Sequence, residues 1–157
     1  MLKAIHFFFV FCAFIICSNS FSQDFDAFRI QYEKAIEDED TCKMLIEQLK
    51  IKEKKNELKS VELAYLGALE TIWAKHVFNP FSKLKTFKKG KERIEAVIKQ
   101  TPNDIEIYYL RLSVQKNAPS FLGYNNHIKQ DTEFIKKNRH LVTSMILNKQ
   151  INSLLNQ

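Results

Sequence analysis

Glycine and proline number only three each in a chain of 157 residues. No run alternates polar and apolar residues between turn signals as a strand would, so extended sheet is excluded and helix is the default. Cysteine is equally sparse, and two of the three, Cys12 and Cys17, lie in the apolar opening segment. Only Cys42 remains in the rest of the chain, which excludes an internal disulfide there and leaves packing to hold the fold. We expect Cys42 to be a buried apolar residue near a helix start.

Catalytic signatures are missing as well. There is no G-x-S-x-G, no glycine-rich phosphate loop and no H-E-x-x-H pair, and His76, His127 and His140 have no cysteines at zinc spacing. The acids Glu37 to Asp40 are adjacent in sequence, whereas carboxylate catalysis needs two groups facing a substrate from separate supports. A solvated turn is the reading for that run. The expectation is a protein with no catalytic residues, cofactor or metal.

What is present begins with Met1-Leu2-Lys3, an apolar stretch from Ala4 to Cys17, and the small polar run Ser18-Asn19-Ser20-Phe21-Ser22-Gln23. Charge, apolar stretch and small residues in that order are the layout of a secretory signal peptide. Ser20 and Ser22 suit the small −3 and −1 pockets of the peptidase, so cleavage is expected between Ser22 and Gln23. The apolar stretch falls short of the roughly 20 residues of a membrane-spanning helix. Cys12 follows Phe11 and Cys17 follows Ile16, which are too large for a lipoprotein signal. Residues 1–22 are therefore read as a signal peptide and 23–157 as one all-helical domain, periplasmic or extracellular, with no membrane span after cleavage.

Seven helices are expected in that domain. Asp24 to Glu37 places Phe25, Phe28, Tyr32, Ala35 and Ile36 at helical spacing. Thr41 then caps a helix whose buried stripe is Cys42, Leu45, Ile46 and Leu49, and the lysine-rich stretch from Lys50 to Lys59 is a solvated connection or frayed end. Val61 to Phe78 is apolar around more than one face and should sit at the centre. Asn79-Pro80 breaks it.

Phe81 to Gln100 follows, with Leu84, Phe87, Ile94, Val97 and Ile98 on its apolar face, and Gly90 where two backbones approach closely. Thr101-Pro102 should open the next helix, which buries Ile105, Tyr108, Tyr109, Leu112 and Val114 and stops at Pro119. An aromatic loop from Ser120 to Asn126 leads to a helix ending near Asn138, which buries Ile128, Phe134 and Ile135. The last helix runs from His140 to Leu155, with Leu141, Met145, Leu147, Ile151 and Leu154 to bury. Short connections between such segments suggest stacked antiparallel hairpins, repeat-like or in an irregular bundle.

Gly90, Val97 and Pro102, within residues 89–104, resemble the small, small and proline marks of the second helix of a tetratricopeptide repeat and its exit turn. Leu66-Gly67 and Trp73 do not join them in one register, and no second copy of the pattern occurs. The whole sequence is also similar to the small exported helical proteins of Bacteroidetes-type bacteria, a resemblance that implies an envelope location and no particular activity.

Three surfaces stand out. Lys83, Lys85, Lys88, Lys89, Lys91 and Arg93 make a basic face, either solvated or weakly attracted to anionic surfaces. The chain's net charge of +6 is too modest, and the face too poor in aromatics, to make nucleic acid an expected partner. Phe121 and Tyr124 stand on a loop beside amides, as in recognition surfaces, although the favoured reading is that Phe121 and Leu122 plug the end of the bundle. Trp73, His76, Arg111 and Tyr124 are candidates for a small-ligand pocket. The leading expectation is an exported helical interaction or scaffold module whose partner is another envelope or secreted protein; the alternative is a small-ligand binder or unrecognised enzyme using that pocket.

Overall fold

The computed structural model describes residues 25–157. The expected signal peptide and the Ser22/Gln23 cleavage site lie outside the described residues. The fold is an all-α bundle of seven helices, and no strand occurs among the described residues. They are α1 (residues 25–35), α2 (Glu39–Lys54), α3 (Ser60–Trp73), α4 (Pro80–Gln100), α5 (Ile105–Asn117), α6 (Ile128–Asn138) and α7 (Met145–Leu155), with short 3₁₀ turns at Ser120–Leu122 and Arg139–Leu141. No helix among them is long and apolar enough to cross a membrane.

Polar side chains set most of the starts, because the first turn of a helix leaves its N–H groups without partners. Asp38 opens α2 by accepting from the Thr41 N–H at 2.7 Å, and Asn79 opens α4 by accepting from Phe81 and Ser82, with Pro80 at the first helical position. Ser144 accepts from Leu147 to open α7. Two caps differ from those expected. Thr41 lies inside α2, buried, because the Asp38 carboxylate is the stronger acceptor for its N–H. Thr101 closes α4 instead of opening α5, donating its hydroxyl to the Val97 carbonyl, and Asp104 caps α5 by accepting from Glu106.

Some boundaries move as well. The charged stretch after Lys50 continues α2 to Lys54, where Asn56 adopts φ +57 and the Glu57 N–H reaches back to the Lys52 carbonyl, a helix-ending turn normally made by glycine. Helix α3 stops at Trp73, well before Phe78. There the Lys75 and His76 N–H groups take the carbonyls three residues back and tighten the chain into a turn. Helix α7 begins at Met145, since Arg139–Leu141 forms a separate turn, and both Leu141 and Met145 are exposed instead of buried.

Helix α3 is buried from Ala64 through Ile72, as its apolar circumference predicts, but it shares the centre with α5, buried from Ile105 through Gln115. Around Tyr65 of α3 the rings of Phe25, Phe28 and Tyr32 from α1 pack edge-on, with centroids 4.9–5.8 Å away. Cys42, Leu45, Ile46 and Leu49 are all buried, as expected. At the crossing of α3 and α4 two glycines face each other: a Cβ added to Gly90 would lie 2.4 Å from the Gly67 carbonyl oxygen, and one added to Gly67 would lie 2.8 Å from that of Gly90. The close approach expected at Gly90 is real, and Gly67 is its counterpart.

The Cys42 thiol points to the Leu69 carbonyl at 3.7 Å, and burial pushes its pKa up to about 11. Thiolate is the reactive form, so such a rise alone should slow alkylation near neutral pH by about a hundredfold. A thiol reagent added to native protein is expected to label Cys42 far more slowly than in urea; equal rates would mean the helix α2 face is open to solvent.

Candidate functional site

Buried charges decide which of the expected site residues are available. Arg111 of α5 makes a two-pronged contact with Asp131 of α6, at 2.9 and 2.6 Å, and donates to Glu95 of α4 at 2.9 Å. Gln115 donates to the same Asp131 carboxylate and accepts from the His127 N–H, and the Tyr124 hydroxyl donates to Glu95 at 2.7 Å. Burial opposes the Arg111 charge, but the Asp131 and Glu95 carboxylates more than offset it and hold the guanidinium above its ordinary pKa. Burial together with the bond to Glu95 pushes the Tyr124 phenol upward. The whole cluster ties α4, α5 and α6 together.

A second cluster joins α1 to α5: Arg29 binds Glu106 through two 2.7 Å bonds, and the Tyr65 hydroxyl donates to Glu106 as well. In a third, Glu70 of α3 accepts from Lys89 and Arg93 of α4, and Arg93 continues to Glu53 of α2.

These contacts divide the residues singled out from sequence. Arg111 and Tyr124 are buried and engaged by partners from other helices, and neither lines the two clefts described below. Trp73 and His76 lie together elsewhere, ring centroids 5.5 Å apart, with His76 Nδ1 3.4 Å from Glu39. The four do not surround a common cavity. Trp73 lines a smaller cleft of about 390 Å³ with lysines 43, 50, 85 and 89. The basic face is also divided. Lys89 and Arg93 are tied to Glu70, and Lys91 lies over the Tyr124 ring at 4.8 Å, whereas Lys83, Lys85 and Lys88 are exposed without an ion-pair partner among the described residues. No cluster of three or more His, Cys, Asp or Glu able to hold a metal occurs among the described residues.

A cleft of about 660 Å³ lies where four helices end or begin. Tyr32 and Ile36 come from the end of α1, Thr71, Ile72, Ala74 and Lys75 from the end of α3 and its exit turn, and Pro80, Lys83, Leu84 and Phe87 from the first half of α4. The end of α5 supplies Ser113, Val114, Asn117 and Ala118, and the turn after it supplies Pro119, Phe121 and Leu122.

Two prolines shape it. Pro119 stops α5 and sends the chain into a 3₁₀ turn that closes on Gly123 at φ +59, a conformation only glycine adopts without cost. The consequence is a division within one loop: Phe121 on the lip is 85% exposed, while Tyr124 is 4% exposed. Pro80, at the start of α4, also lines the cleft.

The polar groups inside are mostly spent locally. Thr71 donates to the Ala68 carbonyl and Asn117 to that of Ser113. What remains is an apolar hollow with two ammonium groups at its edge, Lys83 and Lys75, the latter donating to the Ile36 carbonyl at 3.3 Å. Of these lining residues the sequence reading singled out Phe121 as a candidate interaction residue and Lys83 as part of the basic face. The cleft as a whole left one signal: two prolines, each next to or near exposed phenylalanine, at the ends of two apolar helices.

No protein-family model matches this chain, and no curated protein or solved structure was found to be similar to it.

Proposed function

We propose that the protein is a binding module without catalytic machinery, working outside the cytoplasm after export, and that its ligand is an amphiphilic anion. The apolar chain of the ligand lies in the cleft between α1, α3, α4 and α5, and its acidic head meets Lys75 and Lys83. The observation that carries this reading is the cleft itself: about 660 Å³ of largely apolar wall, within the usual range of small-molecule sites, with cations only at the rim. An apolar wall rewards alkyl length, and a rim of ammonium groups without carboxylate partners among the described residues rewards one negative charge at the end.

Calorimetric titration with straight-chain carboxylates from hexanoate to dodecanoate tests it. Affinity should rise about fourfold per added methylene, the effect of roughly 0.8 kcal/mol per buried CH₂. Ala118→Trp, which fills the hollow from the end of α5, should abolish binding while leaving the helical circular dichroism intact. Lys75→Ser and Lys83→Ser should each weaken dodecanoate a few-fold, in line with about 0.2–1 kcal/mol for an exposed ion contact, and leave decanol unaffected. A series with no dependence on chain length, or binding indifferent to Ala118→Trp, would overturn the reading.

A further inference from the structure

Every strongly exposed phenylalanine among the described residues belongs to one region. Phe78 is 100% exposed, and Phe81 and Phe121 are 85% exposed, whereas Phe25, Phe28, Phe87 and Phe134 pack against the core or within it. Phe121 and Pro80 both line the large cleft, and Phe78 and Phe81 flank Pro80 in sequence. The other exposed large apolar residues are aliphatic or methionine: Leu84 lines the cleft itself, and Ile30, Met44, Ile51, Leu141 and Met145 belong to α1, α2, the Arg139–Leu141 turn and α7. A single exposed apolar residue is ordinary, but one exposed ring lining the cleft and two more within two residues of Pro80, which also lines it, are more than scattered exposure.

Charge surrounds the patch. Lys75 and Lys83 line the cleft, and Lys85, which also lines the smaller cleft, and Lys88 follow Phe81 at helical spacings of four and seven residues along α4. None of the four has a carboxylate partner among the described residues, and the first turn of α4 has no acidic residue. Aromatic rings ringed by lysines suit the interface of an anionic bilayer, where the rings enter the boundary between headgroups and acyl chains and the lysines meet the phosphates. A second copy of the chain fits poorly, because it would set these lysines against the same lysines.

We infer that the mouth of the cleft is a membrane-docking surface for bilayers containing anionic lipid, with Phe78, Phe81 and Phe121 inserting and Lys75, Lys83, Lys85 and Lys88 contacting the headgroups. The inference rests on the acyl-chain reading of the cleft for what docking delivers, since it places the opening against a layer of acyl chains. Docking itself does not depend on the cleft being filled.

Co-sedimentation with phosphatidylcholine vesicles, with and without a fraction of phosphatidylglycerol, separates the two claims. All proteins compared carry the same N-terminus, so the contribution of the Ala4–Cys17 segment cancels. Binding should require phosphatidylglycerol and weaken with added salt. Phe78→Ser combined with Phe81→Ser should reduce it by roughly tenfold or more while leaving dodecanoate affinity unchanged, because neither ring lines the cleft. Ala118→Trp should do the reverse, losing dodecanoate and keeping the vesicles, so failure of the cleft reading and failure of docking are distinguishable. Equal binding to neutral and anionic vesicles, or an unchanged double variant, would overturn docking, as would a dimer in sedimentation velocity that the double variant dissolves without any vesicle binding.

Discussion

Asp131→Ala should cost roughly 3–5 kcal/mol of stability, a large part of what holds a domain of this size folded. Asp131 is 0% exposed and accepts three bonds, two from Arg111 and one from Gln115. Its removal leaves the Arg111 guanidinium inside the protein with Glu95 as its remaining counter-charge, and strands the Gln115 amide. The loss should appear in urea unfolding as a lower midpoint with an unchanged slope. Replacing both partners, Arg111→Met with Asp131→Leu, should recover most of it, because the penalty comes from one uncompensated charge more than from the pair's own attraction. A single variant within about 0.5 kcal/mol of the parent would mean that water reaches the cluster.

Gly90→Ala should also destabilise, by about 1–3 kcal/mol, although alanine is the better helix former by about 1 kcal/mol. The added methyl would meet the Gly67 carbonyl oxygen at 2.4 Å and the Thr71 N at 2.9 Å. Both are backbone atoms that cannot swing away, so α3 and α4 must separate along their contact. Gly67→Ala meets the Gly90 carbonyl oxygen at 2.8 Å and should behave alike. Ala96→Gly, on the exposed side of α4, is the reference. It loses propensity alone and should cost about 1 kcal/mol. If Gly90→Ala stabilises the protein, the two helices are not held at this distance in solution.

These two expectations differ in how visible their causes were beforehand. Gly90 stood out because it interrupts an apolar face, and a glycine there has few uses other than close approach. Asp131 did not stand out at all. It lies in a polar stretch of α6 beside Gln130 and Thr132, and its partner Arg111 is 20 residues away. Glu106 is similar: its partner Arg29 is 77 residues away, so α5 reads as a helix with one wet face when in fact it is buried along almost its whole length. A charge reads as exposed until its counter-charge is placed beside it, and only folding does that.

The candidate site followed the same division. For Phe121 the sequence favoured a plug at the end of the bundle over a displayed ring, yet the ring is 85% exposed in the turn between Pro119 and Gly123. Tyr124, three residues on, has the same chemistry and the opposite fate, because Glu95 of α4 offers its hydroxyl a carboxylate and Phe87 offers its ring an edge-on partner at 6.1 Å. Trp73 and His76 stayed neighbours because they are one turn apart, while Arg111 was drawn to a different cluster.

The sequence by itself determined the all-helical class, most of the segment limits set by Asn79-Pro80 and Pro119, and the buried stripes, since these depend on periodicity and on backbone preferences that act over a few residues. Tertiary structure alone decided which charges are buried in pairs, which aromatic rings remain in solvent, and that four helix ends enclose a hollow. Those outcomes depend on distances between residues far apart in the chain, and no local pattern encodes such distances.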